Sequence, residues 1–426
     1  MLGVFLAFPF VVLKAIWWFV TPFILFRIVK TSWLYFIVRR FILSLQWSLL
    51  EIKLPQEVLK TPKAMEYVLA GLHGVWDDLN LRDTWIRGEV QVGFSLEIVG
   101  TAGEIHFYIM AQKKFKNFVE SQVYAQYPDA EIEEVPDYTA NVPPDIPNKD
   151  WDLWGSDMTL VKPSSYPIRT YVDFEEMVEE RRIDPIASIA EILNKLRVGE
   201  HIWIQFLITP PPKLDVLRKE GEAVVAKLMK RKVEEVKKGF AGPVSILGQE
   251  MLRTLGMAKG EEKEEEVSRN FPPEWNLSPG ERDIIKAIEM KTSKVSFETL
   301  VRFLYIGRRD VFSKTNVSAL FGYFKQFNTF NLNSFKPNRN TFPKKSFIYF
   351  KKIRTHFRKS RLLQWYKFRS NLPGSISPSV LLNVEELATL YHFPGQIVKA
   401  PMMPRVLTRK GPPPRGLPVE EIEKEI

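Results

Sequence analysis

The stretch that decides the fold extends from Gln91 to Val135 and reads QVGFSLEIVGTAGEIHFYIMAQKKFKNFVESQVYAQYPDAEIEEV. Apolar and polar residues alternate over 94–99 and again over 105–110, and a glycine-containing turn separates the two runs. A period of two interrupted by a turn predicts a β-hairpin. From Phe115 the apolar residues recur at helical spacing, and 130–135 returns to a strand pattern. The stretch therefore predicts strand, strand, helix and strand, with one sheet face buried beneath the helix.

The chain on both sides of this stretch shows the same mixture of elements. Thr61-Pro62 predicts a helix start with proline at the first helical position. Asp184-Pro185 predicts a helix cap, and His201–Thr209 has a strand pattern. Val142–Tyr166 is rich in Pro, Asp and Trp, and we interpret it as a long surface loop. We expect 51–212 to form an α+β domain built from pieces similar to ferredoxin-like halves.

A second α+β unit is predicted at 278–336, where the order of elements resembles that of the first unit. This order indicates an internal duplication, although unrelated α+β domains often share such an order. A charged helix and an acidic linker are predicted between the two units. We thus predict an α+β chain with an N-terminal membrane helix or helices and two ferredoxin-like units. Its segments are a membrane anchor with an interfacial part (1–50), a first α+β domain (51–212), a charged helix and linker (213–277), a second α+β unit (278–336), a basic aromatic segment (337–378), and a short helix with a Pro-rich tail (379–426).

The first fifty residues have the composition of a membrane segment. Met1–Phe26 contains a single charged side chain, Lys14. A helix of that length extends over roughly 39 Å, enough to cross a hydrocarbon core of about 30 Å. Two arrangements stay open: one tilted span that contains Lys14, or two short pieces that separate near Lys14 and Pro22. A buried core helix is the alternative to both.

Basic and aromatic residues follow the apolar run. Basic residues beside a span favour the cytoplasmic side, and aromatic rings favour the membrane interface. We therefore expect a cell-membrane protein whose soluble part is cytoplasmic, with Thr31–Leu50 as an amphipathic helix along the surface. The candidate membrane-interface residues are Arg27, Lys30, Trp33, Arg39 and Arg40.

The sequence lacks the patterns of common catalytic sites. It contains no cysteine, which excludes disulfides, thiolate zinc sites and cysteine nucleophiles. It contains no G-x-x-x-x-G-K-[ST] loop, no H-E-x-x-H and no G-x-S-x-G. The five histidines are far apart, and adjacent carboxylates have the pattern of solvated faces. We predict a non-enzymatic protein without catalytic, cofactor-binding or metal-ligating residues.

One segment combines strong positive charge with aromatic residues. Val311–Val384 contains fourteen Lys or Arg and no Asp or Glu, which exceeds the net charge of +10 for the whole chain. Cations neutralise phosphates and aromatic rings stack on bases, so DNA is one predicted ligand. Anionic lipid headgroups are a second, and a solvated linker helix is the third interpretation. The candidate contact residues are Lys344, Lys345, Lys351, Lys352, Arg354, Arg358, Lys359, Arg361 and Trp365.

Several long blocks of the chain resemble one family. They include SLEIVGTAGEIHFYIM at 95–110, IDPIASIAEILNKLRVGEHIWIQFLITP at 183–210 and VLLNVEELATLYHFPGQIVKAPMMPRVLTRKGPPPRGLP at 380–418. These blocks are similar to the membrane-anchored amino-terminal region of type IV secretion or conjugation-like ATPases of candidate-phylum bacteria. In that family the Pro-rich tail is followed by an FtsK/HerA-class motor with a P-loop, which this sequence does not contain.

The resemblance implies a role but no catalytic residues. It implies a membrane-anchored assembly or docking module of a translocation ATPase system. The expected partners are the membrane, an FtsK/HerA-class motor, further copies of the chain, and DNA. The motor would be a separate chain or the other part of a split reading frame. The alternative function is that of a membrane-tethered nucleic-acid-binding protein that uses the basic aromatic segment.

Overall fold

A computed structural model of the chain describes residues 2–55, 60–174, 184–213, 215–229, 277–343, 351–369, 379–395 and 405–406. Most of the predicted charged linker, at 230–276, and Lys344 and Lys345 lie outside these described residues. The architecture below concerns the described residues alone.

A single ten-stranded sheet organises the chain. Its strand order is β10-β1-β3-β2-β6-β7-β5-β8, with β4 also paired to β1 and β9 also paired to β7. The pairings among β1 to β9 are antiparallel, and β10 pairs with β1 in parallel. The strands are β1 Trp47–Pro55, β2 Phe94–Thr101, β3 Glu104–Gln112, β4 Glu131–Val135, β5 Trp151–Leu160, β6 Glu200–Thr209, β7 Ser296–Arg308, β8 Phe335–Pro337, β9 Val380–Asn383 and β10 Arg405–Val406.

The α-helices lie on both faces of this sheet, except for the first, which precedes it. They are α1 Leu2–Ser44, α2 Pro62–Leu72, α3 Lys116–Gln126, α4 Ala187–Asn194, α5 Val216–Leu228, α6 Pro279–Thr292, α7 Lys314–Lys325, α8 Lys351–Lys367 and α9 Val384–Leu390. Prolines stand at the first turns of α2 and α6, where the missing N–H costs nothing. Ser278 and Asn383 close capping boxes at the starts of α6 and α9.

The strand order contains the same arrangement twice. β1, α2, β2, β3, α3 and β4 form a β-α-β-β-α-β series with strand order β4-β1-β3-β2. β5, α4, β6, β7, α7 and β8 form a second series with strand order β8-β5-β7-β6. The two series join where β2 pairs with β6, and α5 and α6 lie between β6 and β7. The sheet therefore continues across the predicted boundaries at 212 and 278.

Two strands occupy segments for which we predicted other structures. Residues 47–50 belong to β1, not to an interfacial helix, and 151–160 form β5, not part of a surface loop. β1 is buried on both faces over Ser48–Ile52, so it shows no alternation. In β5 the buried Asp157 obscured the pattern, and Arg302 neutralises this carboxylate at an Nε–Oδ1 distance of 2.6 Å.

The two faces of the sheet have separate apolar cores. One core packs the sheet against α2, α3, α4, α7 and α9. The other packs the opposite face against α8, through Leu362, Leu363 and Tyr366. Successive residues of β2 belong to different cores, Ile98 to the first and Val99 to the second. The predicted α+β class is confirmed, and its sheet is antiparallel apart from the pairing of β10 with β1.

Candidate functional site

The N-terminal helix is one continuous element. α1 stays helical through Lys14 and Pro22, where the sequence left a break open. Within the described residues, Thr21–Ser44 is the helical stretch that is long and apolar enough to cross a membrane. Most of its large apolar side chains are exposed, unlike those of a core helix. The helix thus has the length, composition and exposure of a membrane element.

The C-terminal half of α1 rests on the connection that precedes β2. Trp33 Nε1 donates a hydrogen bond to the carbonyl oxygen of Trp85 at 3.0 Å. The Lys30 ammonium lies 4.6 Å from the centre of the Trp85 ring, within the range of a cation–π contact. Ile37 and Val38 are buried in the same region. These contacts fix the direction in which α1 leaves the sheet.

The five predicted membrane-interface residues divide into two groups. Lys30 and Trp33 contact Trp85 and remain partly exposed. Arg27, Arg39 and Arg40 are exposed on α1. All five are therefore open to solvent or headgroups, and two of them also hold the helix to the protein.

The basic aromatic segment contains α8, which crosses the sheet. Leu362 contacts the strands near Gly155 of β5, and the carbonyl of Tyr366 accepts a hydrogen bond from Gln205 of β6 at 3.3 Å. Leu363 is also buried in this interface. The helix thus buries its apolar side across β5 and β6, and it is not a free linker helix.

Several of the predicted contact residues of α8 have partners within the protein. Lys359 Nζ donates to Asp152 Oδ1 at 2.6 Å, and both side chains are largely buried. Arg358 donates to the carbonyl oxygen of Phe342 at 3.2 Å. Trp365 is half-buried, 4.9 Å from the guanidinium of Arg361. The contacts of Lys359 and Arg358 hold α8 in place, so fewer cations face outward than the sequence predicts.

The outward face of α8 combines cations with apolar side chains. Lys352, Arg354 and Arg361 are exposed. Ile353 is 53% exposed and Phe357 is 68% exposed beside them. The Lys351 side chain lies outside the described part of the structure, as do Lys344 and Lys345. The candidate polyanion contacts are therefore Arg354 and Arg361, which lie seven residues apart on the outward side of α8, together with Lys352, which is exposed at the start of the helix.

A buried polar cluster beneath α8 was not predicted. The Glu97 carboxylate accepts hydrogen bonds from Gln205 at 2.9 Å, Tyr138 at 2.7 Å and Ser95 at 2.5 Å. Arg369 forms two further bonds to it, at 2.9 and 3.1 Å. The alternation of β2 placed Glu97 on the polar side of the sheet, which is correct. That side is buried because α8 covers it, and no local pattern reveals this.

The cluster is a buried hydrogen-bond network that stabilises the position of α8 on the sheet. Burial and the charge of Glu97 raise the pKa values of Tyr138 and Tyr366 well above the ordinary tyrosine value. Their hydroxyls, 2.8 Å apart, therefore stay protonated as hydrogen-bond donors. Each carboxylate oxygen of Glu97 is satisfied by surrounding donors. The arrangement orients α8 on the sheet.

The histidines have structural partners as well. His106 Nδ1 lies 2.6 Å from Glu51, and His392 Nε2 lies 2.9 Å from Asp184, whose carboxylate accepts a hydrogen bond from the backbone N–H of Ile186. The helix cap predicted at Asp184-Pro185 is not found there, because α4 begins at Ala187 after Ile186 and has no side-chain cap. Burial lowers the pKa of His201 to about 4. Among the described residues, three or more His, Asp or Glu side chains nowhere form a group that could hold a metal ion.

A comparison with protein families gives a match over most of the chain. A family described as a domain of unknown function, DUF8128, matches residues 43–404. The match begins at the end of α1 and includes β1 to β9, the buried Glu97 cluster and α8. No curated protein matches the chain.

Proposed function

We propose that this chain, which belongs to the DUF8128 family, is a non-enzymatic, membrane-anchored docking module of a translocation ATPase system. α1 would be the anchor, and the sheet with its helices would be the part that receives partners. The single observation that carries the proposal is the direct connection between the apolar helix and the sheet.

The connection between α1 and β1 is short, and neighbouring residues hold it by hydrogen bonds. α1 ends at Ser44, and β1 begins at Trp47. The backbone N–H of Lys113, just past β3, donates to the carbonyl oxygen of Gln46 at 2.9 Å. Together with the contacts of Lys30 and Trp33 on Trp85, this bond holds the junction in one geometry. A helix held in this way would keep the sheet at a fixed distance and orientation from the membrane, as a docking module requires.

The charges of α1 support a cytoplasmic position for the sheet. Arg27, Lys30, Arg39 and Arg40 follow the most apolar part of the helix. Positive charges next to a span favour retention on the cytoplasmic side. Because the chain contains no cysteine, a single introduced cysteine can report the side by its reaction with an impermeant maleimide. Resistance to alkaline extraction and protection of Val198→Cys in intact cells would support the proposal; release by alkali would contradict it.

The proposed partner is an FtsK/HerA-class motor. The support is the resemblance of the sequence blocks at 95–110, 183–210 and 380–418 to the amino-terminal regions of such ATPases. Because motors of this class act as rings, we also propose self-association of the chain. Co-purification of the motor with the full-length chain from native membranes tests this part of the proposal.

We further propose that the two β-α-β-β-α-β series are ferredoxin-like units that arose by duplication. The support is their shared element order and strand order. In this interpretation the units comprise 47–135 and 151–337, and α5 and α6 belong to an insertion between the second and third strands of the second unit. α8 would then fasten the two units together across their common face.

A second candidate function is the binding of nucleic acid at the outward face of α8. Arg354 and Arg361 are exposed there, Lys352 is exposed at the start of the helix, and the described part of α8 contains no acidic residue. Phe357 offers an exposed ring on which a base could stack. In a translocation system this face would contact the transported strand.

A further inference from the structure

Exposed apolar side chains collect at one end of the sheet. We define the α1 end as the end at which β1, β2, β7 and β8 begin and β3, β5 and β6 finish. The register fixes this grouping, since Trp47 pairs with Gln112, Phe94 with Ile208 and Leu160 with Phe335. α1 enters the sheet at this end.

Four segments at the α1 end expose large apolar residues. Leu81 is 80% exposed and Ile86 is 66% exposed in the connection that contacts α1. Val161 follows β5 directly, Val295 precedes β7, and both are exposed. Phe330, in the connection to β8, is fully exposed.

The opposite end of the sheet differs. Within the described connections there, Val198, just before β6, is the exposed large apolar residue. The exposure is thus asymmetric between the two ends. Removal of such exposed apolar side chains from water is favourable. The asymmetry indicates that something covers the α1 end.

The loop that presents Phe330 is held in place by its neighbours. The buried Asn333 side chain donates to the carbonyl oxygens of Pro163 and Tyr166 at 2.9 and 3.0 Å. Lys162 Nζ donates to the carbonyl oxygens of Phe330 and Asn331, at 3.2 and 2.7 Å. The exposure of Phe330 is therefore built into the loop rather than a result of local fraying.

We infer that the α1 end of the sheet rests on the bilayer that α1 enters, with Leu81, Ile86 and Phe330 inserted among the lipid headgroups. This inference rests on the proposed anchoring by α1. Because Lys30 contacts Trp85, and Phe26 lies only about 6 Å further along the helix, the connection 81–88 lies close to the membrane surface. In this arrangement the part of α1 before Arg27, about 25 residues and about 37 Å long, crosses the hydrocarbon core. Most of the apolar stretch Thr21–Ser44 then lies beside the protein at the membrane surface, where Lys30 and Trp33 contact Trp85.

The contact is apolar in character. The connection that contacts α1 contains both signs of charge: Arg87 pairs with Asp83 at 3.2 Å, and Asp77 and Asp78 are exposed nearby. The connection itself therefore offers no net attraction to anionic lipid over neutral lipid, apart from the cations of α1 beside it. The contact should therefore persist at high salt, in contrast to a contact made by the cations of α8.

Single-cysteine variants of the full-length chain test this inference, since the natural sequence contains no cysteine. Phe330→Cys and Leu81→Cys report the α1 end, Val198→Cys reports the opposite end, and Ile24→Cys reports the anchor. Each variant is labelled with an environment-sensitive fluorophore and reconstituted in phosphatidylcholine vesicles. The measurement is the loss of emission when nitroxide-labelled phosphatidylcholine replaces part of the lipid.

We expect the labels at 24, 81 and 330 to lose most of their emission, at low and high salt, and the label at 198 to lose little. Quenching at 24 with none at 81 and 330 would overturn the inference while the anchor stands. Absence of quenching at 24 would instead contradict the proposed anchoring itself. A blue-shifted emission at 330 that nitroxide lipid does not quench would indicate contact with protein, such as a second copy, and would also overturn the inference.

Discussion

Arg369 and Glu97 lie 272 residues apart and form a bidentate ion pair between the end of α8 and the centre of the sheet. Both side chains are almost fully buried. Burial lowers the pKa of the arginine, but the charge of Glu97 outweighs it, and the net pKa is raised well above the ordinary value. The guanidinium of Arg369 therefore stays charged, and its two hydrogen bonds to Glu97 fix where α8 ends on the sheet.

Removal of one partner should be costly. Arg369→Met leaves the buried carboxylate of Glu97 without its cation, which we expect to lower the free energy of unfolding by about 3–5 kcal/mol. Urea unfolding of the detergent-solubilised full-length chain measures this loss. The double variant with Glu97→Gln should recover part of the stability, because the buried charge is gone. Arg354→Met, on the exposed face of α8, should change stability by less than about 0.5 kcal/mol. Equal losses of unfolding free energy in Arg369→Met and Arg354→Met would contradict the stabilising role of the Glu97 cluster.

The buried polar cluster around Glu97 shows a limit of structure prediction from the sequence. The alternation in 94–110 predicted the hairpin and which side chains share a face, because the period of a strand is local. It could not predict that the polar face is also buried, since the covering helix is more than two hundred residues away. The same limit applies to Asp157, whose burial depends on Arg302 of a different strand.

The docking of α1 can be tested at Gly88. This residue has φ = +71°, and an added Cβ would lie 2.5 Å from the backbone carbonyl of Ile37 in α1. We expect Gly88→Ala to destabilise the folded chain by at least about 1–2 kcal/mol, the cost of a left-handed backbone, with the clash added. Thermal unfolding measures the loss.

Gly280 offers a matched control for this substitution. It lies in α6, with no atom within 4 Å of an added Cβ, so Gly280→Ala should be neutral or stabilise by at most about 1 kcal/mol. If Gly88→Ala leaves the unfolding temperature unchanged, α1 does not pack on the 81–88 connection as described.

Acid should destabilise the fold through His201. Burial lowers the pKa of this imidazole to about 4 from an ordinary value of 6.5. Between these two values the unfolded chain binds one more proton than the folded chain. The contribution of neutral His201 to the free energy of unfolding is therefore fully present above about pH 6.5. It falls as the pH drops towards 4, by at most about 1.4 kcal/mol per pH unit.

Urea unfolding between pH 5 and 7 measures this dependence, in a range where most carboxylates stay ionised. The variant His201→Gln should lose the part of the slope that the imidazole contributes. His356→Gln, on the exposed surface of α8, should keep it. An identical slope in His201→Gln and the natural chain would show that His201 is not the responsible group.

The outward cations of α8 should determine any binding of nucleic acid. The triple variant Lys352→Gln, Arg354→Gln, Arg361→Gln should weaken binding of a single-stranded oligonucleotide. The slope of log affinity against log salt should fall in magnitude by about 2, from roughly 0.7 per lost phosphate contact. Fluorescence anisotropy at several salt concentrations measures both quantities.

Two controls distinguish oligonucleotide binding at the outward side of α8 from a general effect of the protein's net charge. Lys195, Lys227 and Lys325 are exposed cations on other helices or loops, and their replacement by Gln removes the same total charge. Lys359→Gln breaks a largely buried ion pair with Asp152 and should reduce stability while the salt slope stays the same. If the distant triple variant weakens binding as much as the α8 variant, the α8 face is not the binding surface.

The basic segment also illustrates what composition can and cannot predict. The run of cations and aromatic residues marked a distinct element, and α8 is indeed distinct. Composition did not show which cations face outward, because Leu362, Leu363 and Tyr366 decide the orientation by packing on a remote sheet. Lys359 and Arg358 are consequently structural in their contacts, while Lys352, Arg354 and Arg361 remain available.

The measurement that tests the central proposal most directly is co-purification of the tagged full-length chain from native membranes, followed by mass spectrometry. The control is a variant with Arg369→Met, in which α8 loses its buried ion pair while α1 is unchanged. We predict that a P-loop motor of the FtsK/HerA class co-purifies with the natural chain and is reduced with the variant. Recovery of the chain with lipid and further copies of itself, but without such a motor, would contradict a docking role in a translocation ATPase system.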